Sequence, residues 1–147
     1  MMRRSKIEVY VHMVWAVADR AELVKGALRR VVYRCIEGEY RRKGCTVLAI
    51  GGMPDHVHVL ACMPATVRIY EIARDAKGVS SHMVGEHPKG TGAFAWQSGY
   101  GAFSVSKSDV PRIIAYIERQ EEHHTHGTTA PDLEETDEEA PSECASG

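Results

Sequence analysis

Several things are missing from this chain of 147 residues, and each absence excludes a class of protein. No apolar run approaches the roughly 20 residues needed to cross a bilayer, which argues against a membrane protein. No two of the four cysteines (Cys35, Cys45, Cys62, Cys144) form a Cys-x-x-Cys pair, so neither a zinc ribbon nor a thioredoxin motif is encoded. They read as buried or idle thiols in a reducing compartment. There is no G-x-x-x-x-G-K-[ST] loop and no G-x-G-x-x-G after a strand, so nothing suggests a nucleotide site. No lysine or arginine follows Arg119. The opening Met-Met-Arg-Arg-Ser-Lys is basic, but an alternating strand follows it rather than a signal-peptide block, so the expectation is a cytoplasmic protein.

What is present fits one soluble domain with a real core: 44% apolar and 26% charged residues. The net charge of −2 hides an asymmetry. Residues 128–147 hold 7 of the 20 acids, leaving 18 bases against 13 acids in the body, near +5. A mildly basic body is compatible with a nucleic-acid partner. Beyond His126 the sequence turns to Gly, Thr, Pro and acids without periodicity. The expected division is therefore a domain over 1–126 and an acidic disordered tail over 127–147.

Periodicity predicts the elements. Ile7–Val17 is a β-branched and aromatic strand, broken at Asp19-Arg20. Glu22–Lys43 has helical spacing, with Gly44 as its stop. Cys45–Ile50 is a strand, Gly51–Pro54 a short turn, and Asp55–Met63 the returning strand of a hairpin. Val67–His87 is helical, with Ile69, Ile72, Ala73, Ala76, Val79 and Met83 on one side. Its Gly78–Ser81 patch is a poor helix former, so a bend is expected there. Pro88–Gly99 is a loop and Tyr100–Ser106 a fourth strand. Val110–His124 is a last helix with Pro111 in its first turn and Ile113, Ile114 and Ile117 inward. This order predicts an α+β fold. It is a ferredoxin-like, four-stranded antiparallel sheet with helices on one face, plus a C-terminal helix carrying a tyrosine.

The chemistry gathers at Pro54-Asp55-His56-Val57-His58-Val59-Leu60. On a strand His56 and His58 project together while the valines point away, so two imidazoles can share one metal ion. On the last helix Tyr116 and Gln120 are four apart and lie on one face, which His123 and His124 extend. If that face packs over the histidine strand, Gln120 supplies an amide oxygen as third ligand and Tyr116 lies beside the metal. A phenol with an ordinary pKa of about 10 is a poor nucleophile. Metal coordination of a phosphodiester and a nearby base compensate for that. Attack by a tyrosine preserves bond energy in a phosphotyrosine, which agrees with the missing nucleotide motifs. Tyr10 and Tyr100 are rival nucleophiles placed behind Tyr116.

Taken together, Val11-His12-Met13-Val14-Trp15, GGMPDHVHVL, KGVSS, WQSGYGAFSVS and YIERQEEHH resemble the single-tyrosine HUH (histidine–hydrophobe–histidine) transposases of bacterial insertion sequences and their REP-associated relatives. The resemblance spans roughly Ile7 to His126. It implies a DNA transposase that cleaves single-stranded DNA through a covalent 5′-phosphotyrosine, leaves a free 3′-OH, and rejoins strands. It also implies Mg²⁺ or Mn²⁺, single-stranded DNA with hairpin ends, and a homodimer. By position, His56, His58 and Gln120 become the metal ligands and Tyr116 the nucleophile. Imidazoles favour softer ions than Mg²⁺, so Mn²⁺ suits the chemistry better. Candidate DNA contacts are Arg74, Lys77, Ser80, Lys107 and Arg112 at phosphates, Trp96 as a stacking platform, and His12, His123 and His124. His12 either lines the site or is a satisfied core histidine, and both stay open. The rival is a non-catalytic, ferredoxin-like single-strand DNA- or RNA-binding protein that has kept the fold.

Overall fold

The computed structural model describes residues 5–90, 92–120 and 134. Its elements run β1 (Val9–Ala16), α1 (Gly26–Arg42), β2 (Thr46–Met53), β3 (His56–Met63), α2 (Ile69–Glu86), β4 (Gly101–Val105) and α3 (Val110–Glu118). The strands form one antiparallel sheet in the order β2-β3-β1-β4, so the expected ferredoxin-like α+β fold is what the chain adopts. No helix among the described residues is long and apolar enough to cross a membrane. Cys35, Cys45 and Cys62 are free thiols.

Strand alternation divides the sheet into two faces. Val11, Met13, Trp15, Val57, Val59, Ala61 and Met63 point to one side. There they pack with Val32, Ile36 and Tyr40 of α1 and Ile72, Ala73, Ala76 and Val84 of α2. On the other side α3 lays Ile113, Tyr116 and Ile117 against Ala49 and Leu60. α3 is thus the only described helix on the face that carries His12, His56 and His58.

Four local expectations are corrected. The helix expected from Glu22 starts at Gly26. The chain before it is drawn out of helix because the Val24 N–H is donated to the Pro54 carbonyl at 2.8 Å and the Val24 side chain is buried in the core. At the other end Gly44 takes φ +86, and the Cys45 N–H closes onto the Tyr40 carbonyl at 2.9 Å, the left-handed stop that Gly permits.

The Gly51-Gly52 pair is not a turn. β2 continues to Met53, Gly51 pairs with His58, and only Pro54 and Asp55 form the turn. A Cβ on Gly51 would lie 2.5 Å from the Ile117 carbonyl oxygen, so this glycine is where α3 rests on the sheet.

α2 does not bend at Gly78–Ser81. The hydroxyls of Ser80 and Ser81 are absorbed by the Ala76 carbonyl (2.7 Å) and the Gly78 carbonyl (3.2 Å). Its buried stripe is Ile72, Ala73, Ala76, Ser80 and Val84, whereas Ile69, Val79 and Met83 are exposed. The buried Ser80 had interrupted the apolar pattern that sequence spacing follows.

α3 as a regular helix ends at Glu118. Arg119 departs to φ −112, ψ 29, and Gln120 is helical again. The expected continuation through His124, the histidines 123 and 124, Cys144 and the whole proposed tail except Glu134 lie outside the described residues.

Candidate active site

His56 and His58 lie at the start of β3, an inner strand, opposite Ala16 and Val14 of β1. Both are almost wholly buried, at 2% and 0% exposure. Tyr116 and Gln120, one helical turn apart, come down on them. Gln120 Oε1 is 3.2 Å from His56 Nε2, and the Tyr116 ring meets the His58 ring edge-on at 6.1 Å. Gln120 is itself held by a 3.4 Å bond from its amide to the Tyr116 carbonyl. The four residues singled out for metal and nucleophile are thus adjacent within a single chain. Tyr100 packs against the core on the opposite face, and Tyr10 borders the α3 cluster.

Each imidazole has an outer partner on the ring nitrogen turned away from the centre. His56 Nδ1 is 2.7 Å from Asp55 Oδ1, and Asp55 also accepts a bond from Arg20 at 3.1 Å. His58 Nδ1 is 2.8 Å from His12 Nε2, with the two rings stacked 5.1 Å apart. Such partners fix the tautomer of a metal-binding histidine and point its other nitrogen at the ligand. His12 is fully buried and meets the His58 ring from the neighbouring strand. Burial, reinforced by the charge of His58, drives the His12 pKa down to about 3 and keeps that ring neutral.

One residue enters that sequence reasoning had consigned to the tail. Glu134 brings its carboxylate to both imidazoles: Oε1 lies 3.1 Å from His56 Nε2 and Oε2 3.0 Å from His58 Nε2. The Tyr116 hydroxyl donates to Oε2 at 2.7 Å. Burial alone would lower the His56 pKa, but hydrogen bonds to Asp55 and Glu134 outweigh it and raise it to about 9. For Glu134, burial opposes the charge, yet the bonds to His56, His58 and Tyr116 hold its pKa well below the usual carboxylate range. No signal in the sequence marks Glu134 among its acidic neighbours. Asp55 was legible in retrospect as the acid directly before the histidine strand.

The proposed DNA-contact residues divide between the two sides of the sheet. Lys77 donates to the Gly99 carbonyl at 2.8 Å, bracing the loop before β4. Arg74 pairs with Asp75 at 2.8 Å and lies over the Tyr70 ring. Ser80 is buried and accepts the Trp96 indole N–H at 2.9 Å. Trp96 meets Trp15 and Phe94 edge-on and is a core residue with a partly exposed rim. Arg74, Lys77, Phe94 and Trp96 line a cavity of about 350 Å³, on the side away from Tyr116. Lys107 and Arg112 are exposed near α3, paired with Glu8 (3.1 Å) and Asp109 (3.5 Å).

A ferredoxin-like sheet whose paired histidines face a tyrosine on a separate helix defines the single-tyrosine HUH transposases. Comparison with known proteins gives the family: residues 5–120 match the model described as "Transposase IS200 like", and the chain belongs to that family. It is 27% identical over 127 residues to the ISDra2 transposase TnpA of Deinococcus radiodurans, covering 81% of this chain and 91% of the relative. Two solved structures share the fold. One, a candidate transposase from Deinococcus radiodurans R1, has a TM-score of 0.62 at 23% identity, over 82% of this chain and 96% of that one. The other, a REP-associated tyrosine transposase bound to a REP hairpin, has a TM-score of 0.63 at 17% identity, over 88% of this chain and 75% of that one.

Proposed function

We propose that this transposase cleaves and rejoins single-stranded DNA at hairpin-bearing ends, using Tyr116 as nucleophile beside a divalent metal held by His56, His58 and Gln120. The observation that carries this reading is the convergence of both Nε2 atoms and the Tyr116 hydroxyl on one carboxylate, within 2.7–3.1 Å. The donor set fits a metal: the ligand atoms of His56, His58 and Glu134 lie within 4.8 Å of one another. The outer nitrogens of both imidazoles are held by Asp55 and His12, which turns the inner ones toward Glu134 and Gln120, the oxygens that would share a metal with them. A Mg²⁺ or Mn²⁺ ion there supplies Lewis-acid stabilisation of a phosphodiester.

The chain's own residues do the rest. α3 holds the Tyr116 oxygen in line with the site. That oxygen forms a bond to phosphorus while the bond to the 3′-oxygen breaks, and the 3′-oxygen leaves with a proton. The result is a 5′-phosphotyrosine and a 3′-OH. Rejoining reverses the step with a different 3′-OH, so no nucleotide is consumed. The Tyr116 ring, only 7% exposed, keeps the oxygen largely out of bulk water. Hairpin DNA as partner is supported by the structural neighbour solved with a REP hairpin. A homodimer in the cytoplasm accords with the family resemblance, although Tyr116 already reaches its own histidine pair.

The test is a denaturing gel of full-length protein with a labelled hairpin oligonucleotide in Mn²⁺. Wild type is expected to trap a covalent adduct and Tyr116→Phe none. An adduct that persists in the phenylalanine variant removes Tyr116 from the chemistry. Binding without any wild-type adduct would leave only the non-catalytic binder.

A further inference from the structure

The family match ends at residue 120, so Glu134 lies beyond everything the family pattern assigns. Yet within the described residues it reaches both imidazoles and the tyrosine hydroxyl. Its two oxygens are divided between the imidazoles, Oε1 to His56 and Oε2 to His58, and Oε2 also takes the tyrosine hydroxyl. Its side chain is 16% exposed, so this is not a surface acid passing by.

Two arguments converge on one role. The first concerns charge. His56, His58 and Gln120 are three neutral donors once the imidazoles are deprotonated. Mg²⁺ and Mn²⁺ favour anionic oxygen over imidazole, and a site of neutral donors alone suits them poorly. Glu134 brings the missing charge to the open side of the centre. The second concerns spacing. Adjacent ligand atoms of an octahedral ion with bonds of about 2.1 Å lie about 3.0 Å apart. The separations here are 3.2 Å (His56 to Gln120), 3.1 Å (His56 to Glu134) and 3.0 Å (His58 to Glu134). These three separations match the edge lengths of such a shell, with the two oxygens of Glu134 each facing one imidazole.

We propose that Glu134 is a carboxylate ligand that completes the metal centre formed with His56, His58 and Gln120, and that it keeps the Tyr116 hydroxyl oriented toward that centre. This rests on the reading of the histidine pair as a metal site. The consequence is that the chain beyond the matched family span helps set which ion is held, favouring hard dications over softer ones.

Isothermal titration calorimetry of the full chain with MnCl₂, without DNA, separates the two readings. Wild type is expected to bind one Mn²⁺, and the double variant His56→Ala/His58→Ala none. Glu134→Gln, which keeps the shape and removes the charge, is expected to bind Mn²⁺ at least tenfold more weakly. Glu134→Asp is expected to fall between them. The Mn²⁺ electron paramagnetic resonance spectrum should sharpen toward the free ion at equal loading in Glu134→Gln. If Glu134→Gln binds Mn²⁺ as tightly as wild type, the carboxylate is not a ligand. If it does so while binding the hairpin oligonucleotide more tightly, Glu134 is instead an occupant that competes with phosphate, and the proposal is likewise overturned. If the double histidine variant binds Mn²⁺ like wild type, the metal-site reading itself fails, which is a different result.

Discussion

The two faces of the sheet are equally dry and chemically opposite. Met13, Trp15, Val57 and Val59 on one face and His12, His56, His58 and Gln120 on the other are all at or near full burial. On the first face, exclusion of water is the stabilising term, and any apolar group of the right volume serves. On the second, the same exclusion obliges polar atoms to find partners, and those partners fix where each nitrogen points. The first face holds the sheet flat against α1 and α2. The second spends its burial on orientation.

If that division is right, substitutions on the two faces should fail in different ways. Trp15→Ala opens a cavity in the core beside Trp96 and should cost about 3–5 kcal/mol in urea unfolding. Its fully folded fraction should still bind Mn²⁺ like wild type; loss of metal affinity in that fraction would mean the faces are coupled. Gly51→Ala tests the other side. The added methyl meets the Ile117 backbone carbonyl, which cannot swing aside as a side chain would. We expect a loss of about 1–3 kcal/mol from overpacking. We also expect weaker Mn²⁺ binding, because Gln120 follows Ile117 by less than one turn. Unchanged metal affinity would show that α3 can lift without disturbing the site.

The smallest effect concerns His12 and requires metal-free protein. Its folded pKa of about 3 lies below the ordinary value of 6.5. The unfolded chain therefore takes up a proton first as pH falls, so this group's stability is present above pH 6.5 and lost toward pH 3. Between pH 6.5 and 5 the loss is about 2 kcal/mol. His56, with its pKa raised to about 9, stays protonated in the folded state while the unfolded imidazole takes up its proton through pH 6.5, so it adds a smaller slope of opposite sign, about 0.4 kcal/mol, which the His12 variant leaves in place. His12→Gln should therefore flatten unfolding stability between pH 6.5 and 5, read by urea melts at both values. An unchanged slope would show that His12 is not held neutral by its burial.

Much of this was legible in the chain because it is local. The alternation His-Val-His-Val declares its own face, and the spacing from Tyr116 to Gln120 declares one helical turn. The succession of strands and helices followed from the succession of periods. What stayed hidden is what packing decides. Nothing local distinguishes Gly51 as a resting place for α3 from a glycine in a turn. Ser80 looked like a helix breaker because its three hydrogen-bonding partners, Ala76, Lys77 and Trp96, lie a turn back on the helix and across the loop. Val79 and Met83 looked inward because apolar residues were counted and the buried serine was not. Glu134 sits among acids that resemble one another in sequence, and only its approach to two imidazoles sets it apart.

The pairing of β1 with β3 carries a further consequence. His12 lies opposite Leu60 and Val14 opposite His58, with no irregularity along eight paired positions. Because side chains alternate, inserting one residue inside either strand would turn the imidazoles beyond it into the apolar core and bring valines out in their place. Diversification of such a protein is thereby channelled. The central ladder tolerates exchange of letters but not a change in their number.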